Sequence, residues 1–136
     1  MPEQWFQVVE ADQIPSPALL VYPGRIEENI RRTIKMAGSP DRLRPHVKTH
    51  KMPEVIRMQL AQGITKFKGA TIAELEMVAE AGGKDILFAY QPVGPNILRL
   101  RKLMVKYPDA RFAAVADDPE VVSELDKAFS SGGRKL

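Results

Sequence analysis

The sequence predicts an α/β protein built on a parallel sheet, on three observations. Short apolar segments alternate with amphipathic helical patterns along the whole chain. Successive segments open at residues 43, 65, 85 and 111, roughly one strand–helix unit apart, the spacing of parallel strands joined by right-handed crossovers. Proline and glycine fall between the segments, where elements should start and stop. With a first short strand at Ala18–Val21, strand–helix is repeated five times, although no sequence repeat accompanies the spacing. Two architectures satisfy the pattern. One is a flavodoxin-like doubly wound sheet, which the length of 136 residues favours. The other is about five units of a (β/α)8 barrel, a fold that usually takes about 250 residues.

Taken in order, residues 1–17 read as a lead-in kept extended by Pro15 and Pro17. After the strand at Ala18–Val21, Pro23-Gly24 turns the chain into a helix through about Ala37. Ile26, Ile30, Thr33, Ile34 and Ala37 form its inner stripe, and Gly38-Ser39-Pro40 stops it. A strand over Leu43–Lys48 would place Arg44, His46 and Lys48 on one face and Leu43, Pro45 and Val47 on the other. Pro45 argues against a regular central strand, because it has no N–H to give to a ladder. A helix from Pro53 to Gln62 follows, with Val55, Ile56 and Leu60 inward and Gly63 closing it. Thr65–Ala70 is a weaker strand, with only Phe67 and Ala70 clearly apolar. Thr71-Ile72-Ala73-Glu74 fits a capping box opening a helix to about Ala81. Asp85–Tyr90 has the continuous apolar centre of a strand covered on both faces. Residues 91–96 form the next loop, Ile97–Lys106 a helix with a basic outer face, and Arg111–Ala116 the last strand. Asp117-Asp118-Pro119 caps a helix to about Phe129, and residues 130–136 read as a flexible tail.

Composition narrows the class of function. Apolar residues make up 44% and charged residues 27%, as in ordinary soluble domains. The net charge of +3 is spread along the chain among acidic residues, and no aromatic interleaving accompanies the basic helix face, so nucleic acid is not an expected partner. With no cysteine there is neither a disulfide framework nor thiolate chemistry. No signal peptide is read at the N-terminus, and the longest apolar run, Ala18–Tyr22, is far too short for a bilayer. The expectation is a soluble cytoplasmic domain with no membrane partner.

Both histidines and three basic residues fall within Arg44–Lys51. Lys48 would stand at the carboxyl end of a strand, where parallel α/β proteins place their chemistry. A lysine held there can be a Schiff-base nucleophile or a proton shuttle; on composition alone, Lys48 and Lys51 are simply surface lysines. His46 and His50 straddle a turn with no carboxylate to complete a ligand set, so no metal is expected on them. His46 is instead a buried, hydrogen-bonded or cofactor-facing residue. Gly94 alone has the strand–glycine–helix polarity of a phosphate cradle. Glu74 and Glu76 are explained by capping and the helix dipole.

The stretch Leu43–Lys51 with Pro53-Glu54 resembles the cofactor-lysine motif of the D-threonine aldolase and D-serine dehydratase family. These are fold-type III enzymes with an alanine-racemase-like N-terminal barrel. The resemblance continues through Ser16–Val21, Gln59–Gly63, Ala70–Glu76, Ala81–Leu87 and Ala89–Gly94. It implies a TIM barrel rather than the flavodoxin-like sheet, with residues 1–129 as the N-terminal part of the barrel. It implies pyridoxal 5'-phosphate as cofactor, Lys48 as the lysine forming the internal aldimine, and a D-3-hydroxy amino acid as substrate, cleaved or dehydrated. His46 is a neighbour of the cofactor because it shares the face of Lys48.

The resemblance also implies a divalent metal, manganese or zinc, and a homodimer in the full-length enzyme. The metal ligands, later barrel strands and C-terminal β-domain have no counterpart here, so the chain reads as an N-terminal fragment of low stability and little activity. An amino-acid racemase, a non-catalytic pyridoxal-phosphate-binding protein of the same fold, and a doubly wound binding domain with an incidental Lys48 are the alternatives.

Overall fold

A computed structural model describes residue 4 and residues 6–130. The elements follow in the order α1 (Pro23–Ala37), α2 (Pro53–Ala61), β1 (Lys66–Gly69), α3 (Ile72–Glu80), β2 (Asp85–Phe88), α4 (Pro95–Lys106), β3 (Arg111–Ala114) and α5 (Pro119–Ser130). Short 3-10 turns lie at Ala11–Gln13, Pro40–Arg42 and Val47–Thr49. All five expected helices form, within two residues of the expected ends. Proline is the first residue of α1, α2, α4 and α5, where its missing N–H costs nothing. Gly38, at φ 85°, ends α1 and donates its N–H to Ile34 O. Ser130 closes α5 rather than opening a tail, and the rest of the expected tail lies outside the described residues.

The sheet is parallel, in the order β1-β2-β3, with Lys66, Asp85 and Arg111 in one register row and Lys68, Leu87 and Ala113 in another. Consecutive order without a reversal means that right-handed crossovers carry every helix to the same face. A barrel arc has this arrangement; a flavodoxin-like sheet reverses its order at a switch point. On the helix-covered face Phe67, Ile86, Phe88 and Phe112 pack with Leu75 and Val78 of α3, Leu100, Leu103 and Met104 of α4, and Val121, Leu125 and Phe129 of α5. The other face carries Lys66, Lys68, Asp85, Leu87 and Ala113, all half-buried, so β2 is fully covered on one face where the sequence suggests both.

Two expected strands are corrected. Ala18–Val21 pairs with nothing among the described residues; Leu19, Leu20 and Val21 are exposed. Leu43–Lys48 contributes one parallel bridge, His46 to Lys68, before the chain coils into the turn at Val47–Thr49. Pro45 supplies the reason. Its carbonyl accepts the Lys68 N–H at 2.9 Å, but it has no donor to extend the ladder.

Candidate functional site

The bridge and the turn after it put the chain's two histidines and Lys48 at the carboxyl edge of the sheet, beside the end of β1. His46 caps the turn: its Nδ1 accepts the Lys48 N–H at 3.3 Å, and its carbonyl accepts the Thr49 hydroxyl at 3.2 Å. Lys51 leaves the turn at φ 50°, a left-handed conformation unusual for lysine, with its N–H donated to Val47 O at 2.8 Å. His50 repeats the device one turn later, its Nδ1 accepting from Met52 N at 3.0 Å just ahead of α2. Each histidine is thus committed at one nitrogen to shaping backbone.

Val47 is fully buried against the helices, so the alternation expected of Leu43–Lys48 survives the loss of the strand as far as His46. Arg44 lies on the sheet face opposite the helices. Its Nη1 donates to Asp85 Oδ1 at 2.7 Å and to the carbonyls of Phe67 at 3.2 Å and Asp85 at 3.3 Å, tying the bridge segment to β1 and β2. Lys48 is exposed, and its ammonium has no hydrogen bond or ion pair among the described residues. Its surroundings are open to solvent, as the surface-lysine reading expects.

Glu74 is the one buried charged residue of the described core, 5% exposed. The Thr71 hydroxyl accepts the Glu74 N–H at 3.2 Å, as a capping box requires. The carboxylate, however, reaches past the cap residue. Oε2 accepts from Ala70 N at 2.8 Å, and Oε1 takes the Lys51 ammonium at 3.2 Å. Burial pushes its pKa up, but the Ala70 N–H and Lys51 more than offset that, and the carboxyl titrates below the usual glutamate value. Glu74 therefore joins the turn bearing Lys48 to the loop after β1, a role the capping reading alone does not reveal.

His46 is held below the ordinary histidine value, by burial first and then by the ammonium of Lys48; Glu74 works the other way, and Lys68 lowers it further. At neutral pH the imidazole is uncharged, and with Nδ1 accepting from Lys48 N its proton resides on Nε2. Lys68, which the sequence reading passed over, stands beside His46 in the bridge. Burial likewise lowers the pKa of His50, whose Nε2, like Gln59 Oε1, is buried without a hydrogen-bond partner among the described residues. Both residues line a cleft of about 500 Å³ with Asn29, Thr33, Arg44 and Thr49. The loop after β2 is fixed from the next loop, since Gln91 Oε1 accepts from Asp117 N at 2.7 Å and Asp118 N at 3.2 Å. Gly94, at φ 52°, precedes α4 as expected.

No group of three or more histidine, cysteine, aspartate or glutamate side chains is placed to hold a metal among the described residues, and no helix there is long and apolar enough to cross a membrane. At the carboxyl edge of the sheet an ammonium without a partner among the described residues stands near a neutral imidazole.

The chain is similar to known proteins over most of its length. The family described as "Alanine racemase, N-terminal domain" matches residues 21–135. A D-threonine aldolase of Arthrobacter sp is 28% identical over 125 residues, covering 91% of this chain and 32% of the aldolase. A D-threo-3-hydroxyaspartate dehydratase of Delftia sp. (strain HT23) is 36% identical over 93 residues, 65% of this chain and 24% of the dehydratase. The crystal structure of D-threonine aldolase from Filomicrobium marinum superposes with a TM-score of 0.80 at 28% identity, over 90% of this chain and 33% of that one. The chain thus spans about a third or less of the length of these relatives.

Proposed function

The chain belongs to the alanine racemase N-terminal domain family, and from that premise we propose that it is part of a pyridoxal-phosphate-dependent lyase acting on D-3-hydroxy amino acids. Its strand–helix units are about five of the eight of a barrel. The consecutive parallel order of three strands and the likeness to a D-threonine aldolase support an arc of such a barrel. The observation that carries the proposal is the placement of Lys48: an amine without a partner among the described residues, at the carboxyl edge of the sheet, in the motif Arg44–Lys51 that resembles the family's cofactor lysine. The reaction is aldol cleavage or dehydration, the two activities named in its relatives.

Lys48 Nζ, an amine able to take an aldehyde, would hold the cofactor, and His46 would lie beside it. Bound there, pyridoxal phosphate supplies an electron sink for charge developing on the substrate. The residues of this chain supply position and field. His46, neutral with its proton on Nε2, offers one donor and leaves the local charge to the ammoniums. Glu74 and Lys51 hold the turn so that Lys48 projects from a fixed backbone. Arg44 anchors the segment from below. The described residues do not form a metal set, and no metal step is assigned to them.

Two measurements test the reading. Titration with pyridoxal phosphate should produce a visible-edge absorbance band that Lys48→Ala removes. In the intact enzyme of which this chain is part, D-threonine or D-3-hydroxyaspartate should then release an aldehyde, or ammonia and a keto acid. No band in either protein, or an unchanged band in Lys48→Ala, would overturn the assignment.

A further inference from the structure

Lys68, a half-buried residue, is the feature the proposed chemistry does not yet use. β1 reads Lys66-Phe67-Lys68-Gly69, and its alternation sends Phe67 and Gly69 into the helix-covered core and both lysines to the opposite face. Lys66 is satisfied, donating to Asp41 O at 2.8 Å. In its register row Asp85 is also engaged, by Arg44 at 2.7 Å and Arg111 at 3.7 Å. The row above differs. Lys68 has His46 on one side and Leu87, then Ala113, on the other, with no carboxylate in the row. Both oxygens of Glu74 are taken, by Ala70 N–H and Lys51. The Lys68 ammonium has no acceptor among the described residues.

A cation beside an apolar wall with no counter-charge in its row attracts an anion. Two anions could approach the mouth of this site: the phosphate of a cofactor and a carboxylate of a substrate. Phosphate is typically cradled by several backbone N–H groups, and the donor closest to hand, Ala70 N–H, is already given to Glu74. A carboxylate needs only one or two donors, and Leu87 and Ala113 suit the short carbon chain behind it.

We propose that Lys68 is a specificity-determining residue that binds the side-chain carboxylate of an acidic 3-hydroxy amino acid. The assignment rests on the reading that Lys48 holds the cofactor at the same edge. It selects dicarboxylic substrates over those with neutral side chains.

Calorimetric titration with succinate and with butyrate, which differ by one carboxylate, tests it on the protein with and without pyridoxal phosphate. The native protein should prefer succinate by about tenfold or more, the fold-change expected of one charge-assisted hydrogen bond. Lys68→Met and Lys68→Gln should erase the preference, and Lys68→Arg should keep most of it, with the pyridoxal phosphate band unchanged in all three. A preference that survives in both Lys68→Met and Lys68→Gln, or is absent from the native protein, would overturn the proposal. So would a loss of pyridoxal phosphate affinity in place of succinate affinity, which would give Lys68 to the cofactor. A Lys68-dependent preference in a protein that shows no band would sustain the carboxylate site and reject the cofactor reading instead.

Discussion

Replacing Glu74 isolates the tie between the Lys48-bearing turn and the sheet. The carboxylate is 5% exposed, accepts one backbone N–H at 2.8 Å, and pairs with an ammonium at 3.2 Å. Glu74→Ala leaves the Ala70 N–H without its acceptor. A hydrogen bond to a charged group contributes about 1.5–3 kcal/mol. Lys51 is 63% exposed, so its ion pair adds only about 0.5 kcal/mol. The alanine variant should therefore lose about 2–3 kcal/mol. Glu74→Gln keeps an oxygen for Ala70 N–H but no charge, and should lose about 1 kcal/mol.

The two effects separate with pH. Because the folded carboxyl titrates below the usual glutamate value, its ionised form adds stability that is fully present above that value. That stability is lost as pH falls through the lower, folded value. Urea unfolding of native protein and Glu74→Gln at pH 7 and at successively lower pH should show a gap that is constant down to about pH 5 and closes below the usual glutamate range. A gap that stays fixed or widens in acid would refute the claim that the charge of Glu74 holds the turn.

Three other substitutions probe the scaffold. Gly83→Ala should cost about 1–3 kcal/mol in urea unfolding, because the new Cβ would stand 2.5 Å from Val78 Cγ1 and 3.2 Å from Phe67 Cδ2. Arg44→Leu should cost about 2 kcal/mol by the same measurement, since it releases Asp85 and two strand carbonyls from a half-buried guanidinium. Phe67→Ala empties a fully buried position between sheet and helices and should cost about 3–5 kcal/mol, enough to unfold much of a small domain at 25 °C.

The helices were legible because proline and glycine punctuate them and their apolar stripes are regular: Ile30 of α1 and Val55 and Ile56 of α2 are buried as the pattern predicts. The strands were less so. Lys66-Phe67-Lys68-Gly69 looked weak because half its residues are charged, yet those lysines occupy the sheet's second face. Reading that alternation as two-faced would have found Lys68. Pro45 announced the break in Leu43–Lys48, but the 3-10 turn that replaces the strand depends on the His46 side chain accepting a backbone N–H, which no periodicity encodes. The capping box gave the Thr71 half of its geometry. The longer reach of Glu74 to Ala70 and Lys51 depends on where the neighbouring loop lies.

The attachment of the cofactor to Lys48 is tested most directly by trapping it. The protein is loaded with pyridoxal phosphate, reduced with borohydride, digested and sequenced by mass spectrometry. The account predicts a phosphopyridoxyl group on Lys48 alone. A modification on Lys51 or Lys68 in its place, or none at any lysine, would contradict it.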